Sequence, residues 1–157
     1  MTSTIVLQHN VGALGALKRL SAAAAAVAAG AGDATTVTGV TIDRMGFGLG
    51  SMPNSAVFAI LYDATLATGK TLSLGYAVQD SADNSNFSDY ATATSAVIAT
   101  GATAASVVAG ELQVDVDLQS ARRFVRFNHF PDLSATQTDT SVTRATGFFG
   151  GFDRLPA

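Results

Sequence analysis

The sequence predicts an all-β fold, an antiparallel two-sheet β-sandwich of jelly-roll-like or Ig-like type, preceded by an N-terminal arm of mixed or irregular structure. Three observations predict it. Leu72, Leu74, Tyr76 and Val78 alternate with Ser73, Gly75, Ala77 and Gln79, the period-two pattern of a half-buried strand. A polar stretch at 80–86 then makes a long hairpin loop before Phe87 and Tyr90 begin a returning strand. The same pattern recurs where Leu112, Val114, Val116 and Leu118 interleave with Gln113, Asp115 and Asp117, and again over residues 123–127.

Taken in order, residues 1–34 form the arm and 35–157 the sandwich. The arm holds a short apolar run, Ile5, Val6 and Leu7, then Leu14, Leu17 and Leu20 at helical spacing, then an Ala/Gly tract ending at Gly30, Gly32 and Asp33. Alanine's helix propensity favours a few helical turns over residues 11–29. A helix so poor in large side chains would bury little area, so an extended arm that orders on a partner is equally consistent.

From Thr35 onward the strand pattern takes over. Residues 37–42 read as a Thr/Val-rich strand. Gly46, Gly48 and Gly50 with Pro53 and Asn54 interrupt the pattern, because such a run cannot continue a central strand. Residues 56–62 are apolar on both faces, with Val57, Ala59 and Leu61 set against Phe58, Ile60 and Tyr62. Such a strand must be covered on both sides, either by a second sheet and a loop or by a neighbouring subunit. Residues 91–110 read as short strands and turns. Residues 122–130 and 138–149 supply two more strands around a turn at Pro131 and Asp132. Roughly six to eight short strands separated by turn signals make a sandwich.

The chain has 157 residues, the size of one domain, and only 13% of them are charged, about half the usual share. A surface so low in charge and rich in Ala, Thr, Ser and Gly loses little on burial, which points to an exterior covered by other protein rather than to a free monomer. A net charge of −3 with two lysines gives no footprint for nucleic acid. Without cysteine there is no disulfide framework and no thiolate metal site. The uncharged stretch 91–110 carries too many Ser, Thr and Gly residues for a membrane span. Lys18 and Arg19 before the Ala tract have the outline of a signal peptide, but they follow a strand-like segment and the apolar core is mostly Ala.

No motif carries recognisable chemistry. Gly69, Lys70 and Thr71 end a segment resembling a phosphate-binding loop, yet Ala64 replaces its first glycine and a strand follows in place of a helix. His9 and His129 are the only candidate bases, and no serine elbow is present. His129, between Asn128 and Phe130, reads as a strand-end histidine with one hydrogen-bond partner. Asp80, Asp83 and Asp89 around the Ser/Asn-rich loop lack EF-hand spacing and read as a solvated loop stabilised by Asx turns. These readings assign no catalytic residue, cofactor or metal ligand.

The candidate residues are therefore interface residues. Arg122, Arg123 and Arg126 form the one basic cluster, with Arg122 and Arg126 on the face of Phe124. They either pair with acidic groups on a partner or lay their stems over apolar surface. Phe148, Phe149 and Phe152 belong on the core or on a neighbouring subunit. With Ile5, Val6, Leu7, Leu14, Leu17, Arg122 and Arg126 they make up the candidate partner interface.

The order Thr38 to Phe47, the apolar strand 57–61, Thr71 to Leu74 and Val78 to Phe87 resembles small β-sandwich virion proteins encoded beside capsid genes in tailed phages. So do Ala121 to Arg126, the Asp139 and Thr140 strand and the closing segment from Gly151 to Ala157. The likeness covers residues 35–157 through loose strand-and-turn signatures. It implies a decoration, or cement, protein on the exterior of an icosahedral head, a structural role rather than an enzyme's. The implied partners are the major capsid protein and copies of itself, with a trimer suggested by the two-faced apolar strand, and neither nucleic acid nor membrane. A phage tail or receptor-binding component and a carbohydrate-binding module share the sandwich and stay open as alternatives.

Overall fold

The computed structural model describes residues 14–47, 51–103, 105–134 and 138–152. They form nine strands: β1 (Ala16–Arg19), β2 (Ala24–Val27), β3 (Ile42–Asp43), β4 (Ser55–Leu66), β5 (Thr71–Ser81), β6 (Ser88–Thr100), β7 (Ser106–Asp117), β8 (Phe124–Leu133) and β9 (Thr140–Gly150). One 3-10 turn, Arg44–Phe47, follows β3.

The strands pair as nested hairpins. β5 pairs with β6, β4 with β7, β3 with β8, and β1 and β2 in succession with β9, all antiparallel. Lateral pairing of β4 with β9 and of β5 with β8 gathers them into a five-stranded sheet, β1/β2-β9-β4-β7, and a four-stranded sheet, β3-β8-β5-β6. That nesting of Greek keys is jelly-roll topology, which decides between the two sandwich types the sequence allowed.

Alternation builds the core between the sheets. Ala56, Phe58, Ile60, Tyr62, Ala64 and Leu66 face inward from β4 against Leu72, Leu74, Val78, Val125, Phe127 and Leu133 of the other sheet. Phe58 bridges the layers, with ring centroids 4.9 Å from Phe127 and 5.6 Å from Phe149. Gly147 must be glycine for this packing: a Cβ there would lie 2.8 Å from the Phe58 ring and 2.9 Å from Leu20.

Several expectations are corrected. The helical turns over 11–29 do not form in the described part, where residues 16–19 and 24–27 are strands on β9 with Leu20, Ala26 and Ala28 buried in the core. Pairing to a neighbouring strand outweighs alanine's intrinsic preference, which is only a few tenths of a kcal/mol per residue. Residues 37–42 contribute a single bridge, Val37 to His129, and the short β3. The stretch 91–110 lies mainly in two long strands, β6 and β7. No turn interrupts at Pro131, which continues β8. Its carbonyl accepts from the Ala34 amide on the side away from β5, so the missing N–H costs no ladder bond.

Arg44 locks the corner where the two sheets meet. Its side chain is buried, and its guanidinium donates to the carbonyls of Ala121, Arg122 (3.2 Å), Pro53 (2.7 Å) and Leu118 (2.7 Å). One cation thus ties the loop before β4 to the loop between β7 and β8. Burial lowers its affinity for the proton, which the carboxylate of Asp80 partly restores.

Candidate functional site

The outer faces of the two sheets differ in finish. On the four-stranded sheet, Gln79 accepts from Arg126 Nε (2.8 Å) and Asn128 Nδ2 (3.0 Å) and donates to Asp89 (2.7 Å). Asn128 in turn accepts from the Gly39 amide (3.0 Å), and the Arg126 guanidinium lies 4.0 Å from the Phe87 ring centre. Arg122 pairs with buried Asp80 at 2.9 Å and donates to Ser88. Arg123 makes a two-pronged contact with Asp43, whose carboxyl that fork holds below the usual carboxylate range. The basic cluster of the sequence therefore finds its acidic and aromatic partners within this chain.

The outer face of the five-stranded sheet is different. Val57 and Leu61 on β4 are exposed, flanked by Phe148 and Arg144 of β9 and by Asp115 and Glu111 of β7. Leu17, opposite Phe148 on β1, is 70% exposed, and Val107 at the far end of β7 is 77% exposed. Leu14, Leu17, Val27, Val57, Leu61 and Val107 all lie on or beside this face. Among the described residues, the remaining exposed large apolar side chains, Val40, Met45 and Val97, lie elsewhere. The strand that read as apolar on both faces thus has one face in the core and the other uncovered in the single chain. At one end of this face Leu14, Val57, Val116, Phe148, Gly150 and Gly151 line an open cavity of about 510 Å³ whose rim carries Asp115 and Asp117.

The candidate interface residues sort accordingly. Leu14, Leu17 and Phe148 come together on this face. Phe149 does not: it is fully buried beneath Phe47 (5.3 Å between ring centres) and Phe58, so its assignment to an interface is corrected. Alternation decides this, since adjacent strand residues point to opposite faces. Phe152 packs edge-on against Phe47 at 5.5 Å. Arg126 lies on the opposite sheet, and Arg122 in the loop that leads into it. Ile5, Val6 and Leu7 fall outside the described residues. Sequence reading passed over Val107, Leu61 and Val57 as site residues, although the double-sided apolarity of β4 was the signal that could have found the last two.

The acidic loop, the Lys70 turn and His129 are each held by local partners. Asp83 accepts from the amides of Ser85 (2.9 Å) and Asn86 (2.8 Å) and from the side chains of Ser81 and Asn86, and these bonds hold its carboxyl far below the ordinary carboxylate range. Residues 67–70 form a tight turn into β5, with the Lys70 amide on the Ala67 carbonyl. His129 is buried with Nε2 on Thr143 Oγ1 at 2.9 Å, a bond that crosses from one sheet to the other, and desolvation pushes its pKa down to about 4. Among the described residues no three His, Asp or Glu side chains converge as metal ligands. The arrangement is one of docking and rigidity.

No protein-family model matches the sequence, and no curated protein matches it. Solved structures share the fold. The VP2 chain in the crystal structure of the infectious bursal disease virus VP2 subviral particle superposes with a TM-score of 0.51 at 8% identity, over 90% of this chain and 34% of that one. The structure of the Gx strain of the same virus matches with a TM-score of 0.48 at 11% identity, over 86% of this chain and 31% of that one. The chain thus spans about a third of the length of the structures it matches. At such identity the likeness shows the fold alone, a β-sandwich shared with VP2 of that subviral particle.

Proposed function

We propose that this chain is a structural protein of a virion, a decoration or cement protein that binds the outer surface of a tailed-phage capsid and bridges neighbouring capsomers. The observation that carries this reading is the set of exposed apolar side chains on the outer face of the five-stranded sheet, in a rigid jelly roll whose opposite sheet pairs the outward side chains of Gln79, Arg126 and Asn128. A face of this kind is finished only by burial against protein. The low overall charge supports the same reading, as does the fold shared with VP2 of a virus-derived particle. In this reading the major capsid protein and copies of the chain itself are the partners, and Ile5, Val6 and Leu7 belong to an arm reaching across a capsid subunit.

The sugar-binding alternative needs an exposed aromatic platform, and the three tyrosines do not supply one. Tyr62 is buried, Tyr76 stacks on Phe127, and Tyr90 donates to the Asp117 carbonyl at 2.8 Å. Cryo-electron microscopy of the particle from which the chain comes tests the proposal. Density for the jelly roll outside the shell, touching two or more capsomers, is the expected result. A bare head would overturn it.

A further inference from the structure

We infer that the outer face of the five-stranded sheet packs against the same face of a second copy of this chain, about a twofold axis running parallel to the strands between β4 and β9. The inference rests on the reading of this face as one buried in an assembly, and it names the first partner.

Three features lead to it. The first is where the charge sits. Arg19, on the β1 edge, lies in one row with Thr146, Ala59 and Gln113, and Glu111 and Asp115 occupy the adjacent rows on the β7 edge. Both Arg19 and Glu111 are exposed, and neither takes an ion-pair or hydrogen-bond partner among the described residues. One edge of the face therefore carries Arg19 and the other two carboxylates, while Lys18 points the opposite way, over the Phe47 ring at 5.1 Å.

The second is what symmetry does with that polarity. A twofold axis along the strands lays the β1 edge of one copy over the β7 edge of the other. Arg19 then meets its partner's Gln113 with a carboxylate one row to either side, roughly 7 Å along the strand and within reach of an arginine side chain. The same contact repeats at the opposite edge, because a twofold interface is isologous. An axis across the strands would instead set Arg19 over its own copy. The charge pattern selects the first.

The third is area. Three strands of eleven or twelve residues, with the two four-residue strands β1 and β2 in line along the edge, stand about 4.8 Å apart and present roughly 650 Å². Two such faces bury an amount within the range of stable specific interfaces. At their centre Val57 would meet Phe148 of the partner subunit, so apolar groups cover each other where water is excluded most completely.

The test is sedimentation equilibrium of the purified full chain at about 50 µM, with circular dichroism to confirm folding. A dimer is expected. V57D should give folded monomer, since an aspartate there lies beside Asp115 and meets the partner's Phe148. R19E and E111R should each weaken pairing by about tenfold or more, and the double reversal should restore part of it, since the carboxylate at position 19 would then meet the guanidinium at position 111 on one side while Asp115 stays on the other. The charge pair lies on the surface, so it stays informative even if V57D fails to fold. A monomeric or trimeric wild type, a dimer indifferent to V57D, or a double reversal no better than its singles would overturn the pairing. Monomer nonetheless found on particles would overturn the pairing and leave the virion role standing. A dimer absent from every particle would support the pairing and overturn the role.

Discussion

On the four-stranded sheet the outward position Gln79 engages Arg126, Asn128 and Asp89, while on the five-stranded sheet the outward positions Val57 and Leu61 of β4 make no polar contact and Asp63 beyond them pairs with Arg144 at 2.9 Å. Both are central strands with the same alternation, so backbone geometry cannot account for the difference. Side-chain choice does. Where a face closes its own hydrogen bonds, solvent is an adequate partner and substitution there acts on the fold alone. Where it leaves branched apolar groups in water, the folded chain is complete but the surface is not, and substitution acts on assembly.

This contrast can be broken or sharpened by mutation. The largest effect is expected at the corner both faces depend on. R44M should destabilise the chain by about 3–5 kcal/mol, because the carbonyls of Pro53, Leu118 and Ala121 lose a charged donor inside the protein. Urea unfolding would measure it, and a loss under about 1 kcal/mol would mean that water replaces the guanidinium.

Next comes acid. His129 has a folded pKa of about 4 against an ordinary value of 6.5, so the neutral ring is the form the fold accepts. Its contribution is complete above pH 6.5 and is lost as pH falls towards 4, where the unfolded chain binds a proton that the folded chain refuses. The whole window amounts to about 3 kcal/mol. Comparing the stability of wild type and H129Q at several pH values isolates this, since the carboxylates are common to both. Identical pH slopes would show that His129 protonates without penalty.

A smaller loss, about 1–2 kcal/mol, is expected for Q79A, which removes the hub of the polar face and leaves Asn128 short of an acceptor. Particle binding and self-association should not change. The smallest effect belongs to L61S, which should move monomer stability by no more than about 0.5 kcal/mol while weakening association. If L61S melted like a core substitution, or if Q79A abolished association, the distinction between the two faces would fail.

The parts of the fold visible in the sequence were those where large and small side chains alternate. Strands β5 and β7 declared themselves through Leu72, Leu74 and Val78 and through Val114 and Val116. β1 and β2 were hidden because the face they press on the core is built of Ala26, Ala28 and a single leucine, Leu20, so the period-two signal has almost no amplitude. Pro131 read as a turn because its lack of an N–H is visible in sequence and the direction its nitrogen faces is not. At the site, Leu14, Leu17 and Phe148 were legible as apolar residues in search of cover. Phe149 looked identical to its neighbour, and only the register of β9 with β4 separates a core ring from a surface one.

The nested pairing also sets an order of events during synthesis. Thr146 reaches the carbonyl of Lys18 across 128 residues of sequence, and Ala145 reaches the Ser21 hydroxyl across 124. β1 and β2 therefore have no strand to join until β9 has left the ribosome. Contacts this distant slow folding, because chain entropy is lost before the pairing that repays it. The innermost hairpin, β5 with β6, can form early, and the five-stranded sheet closes last. The apolar face is thus complete only when β9 joins β4 and sets Phe148 beside Val57.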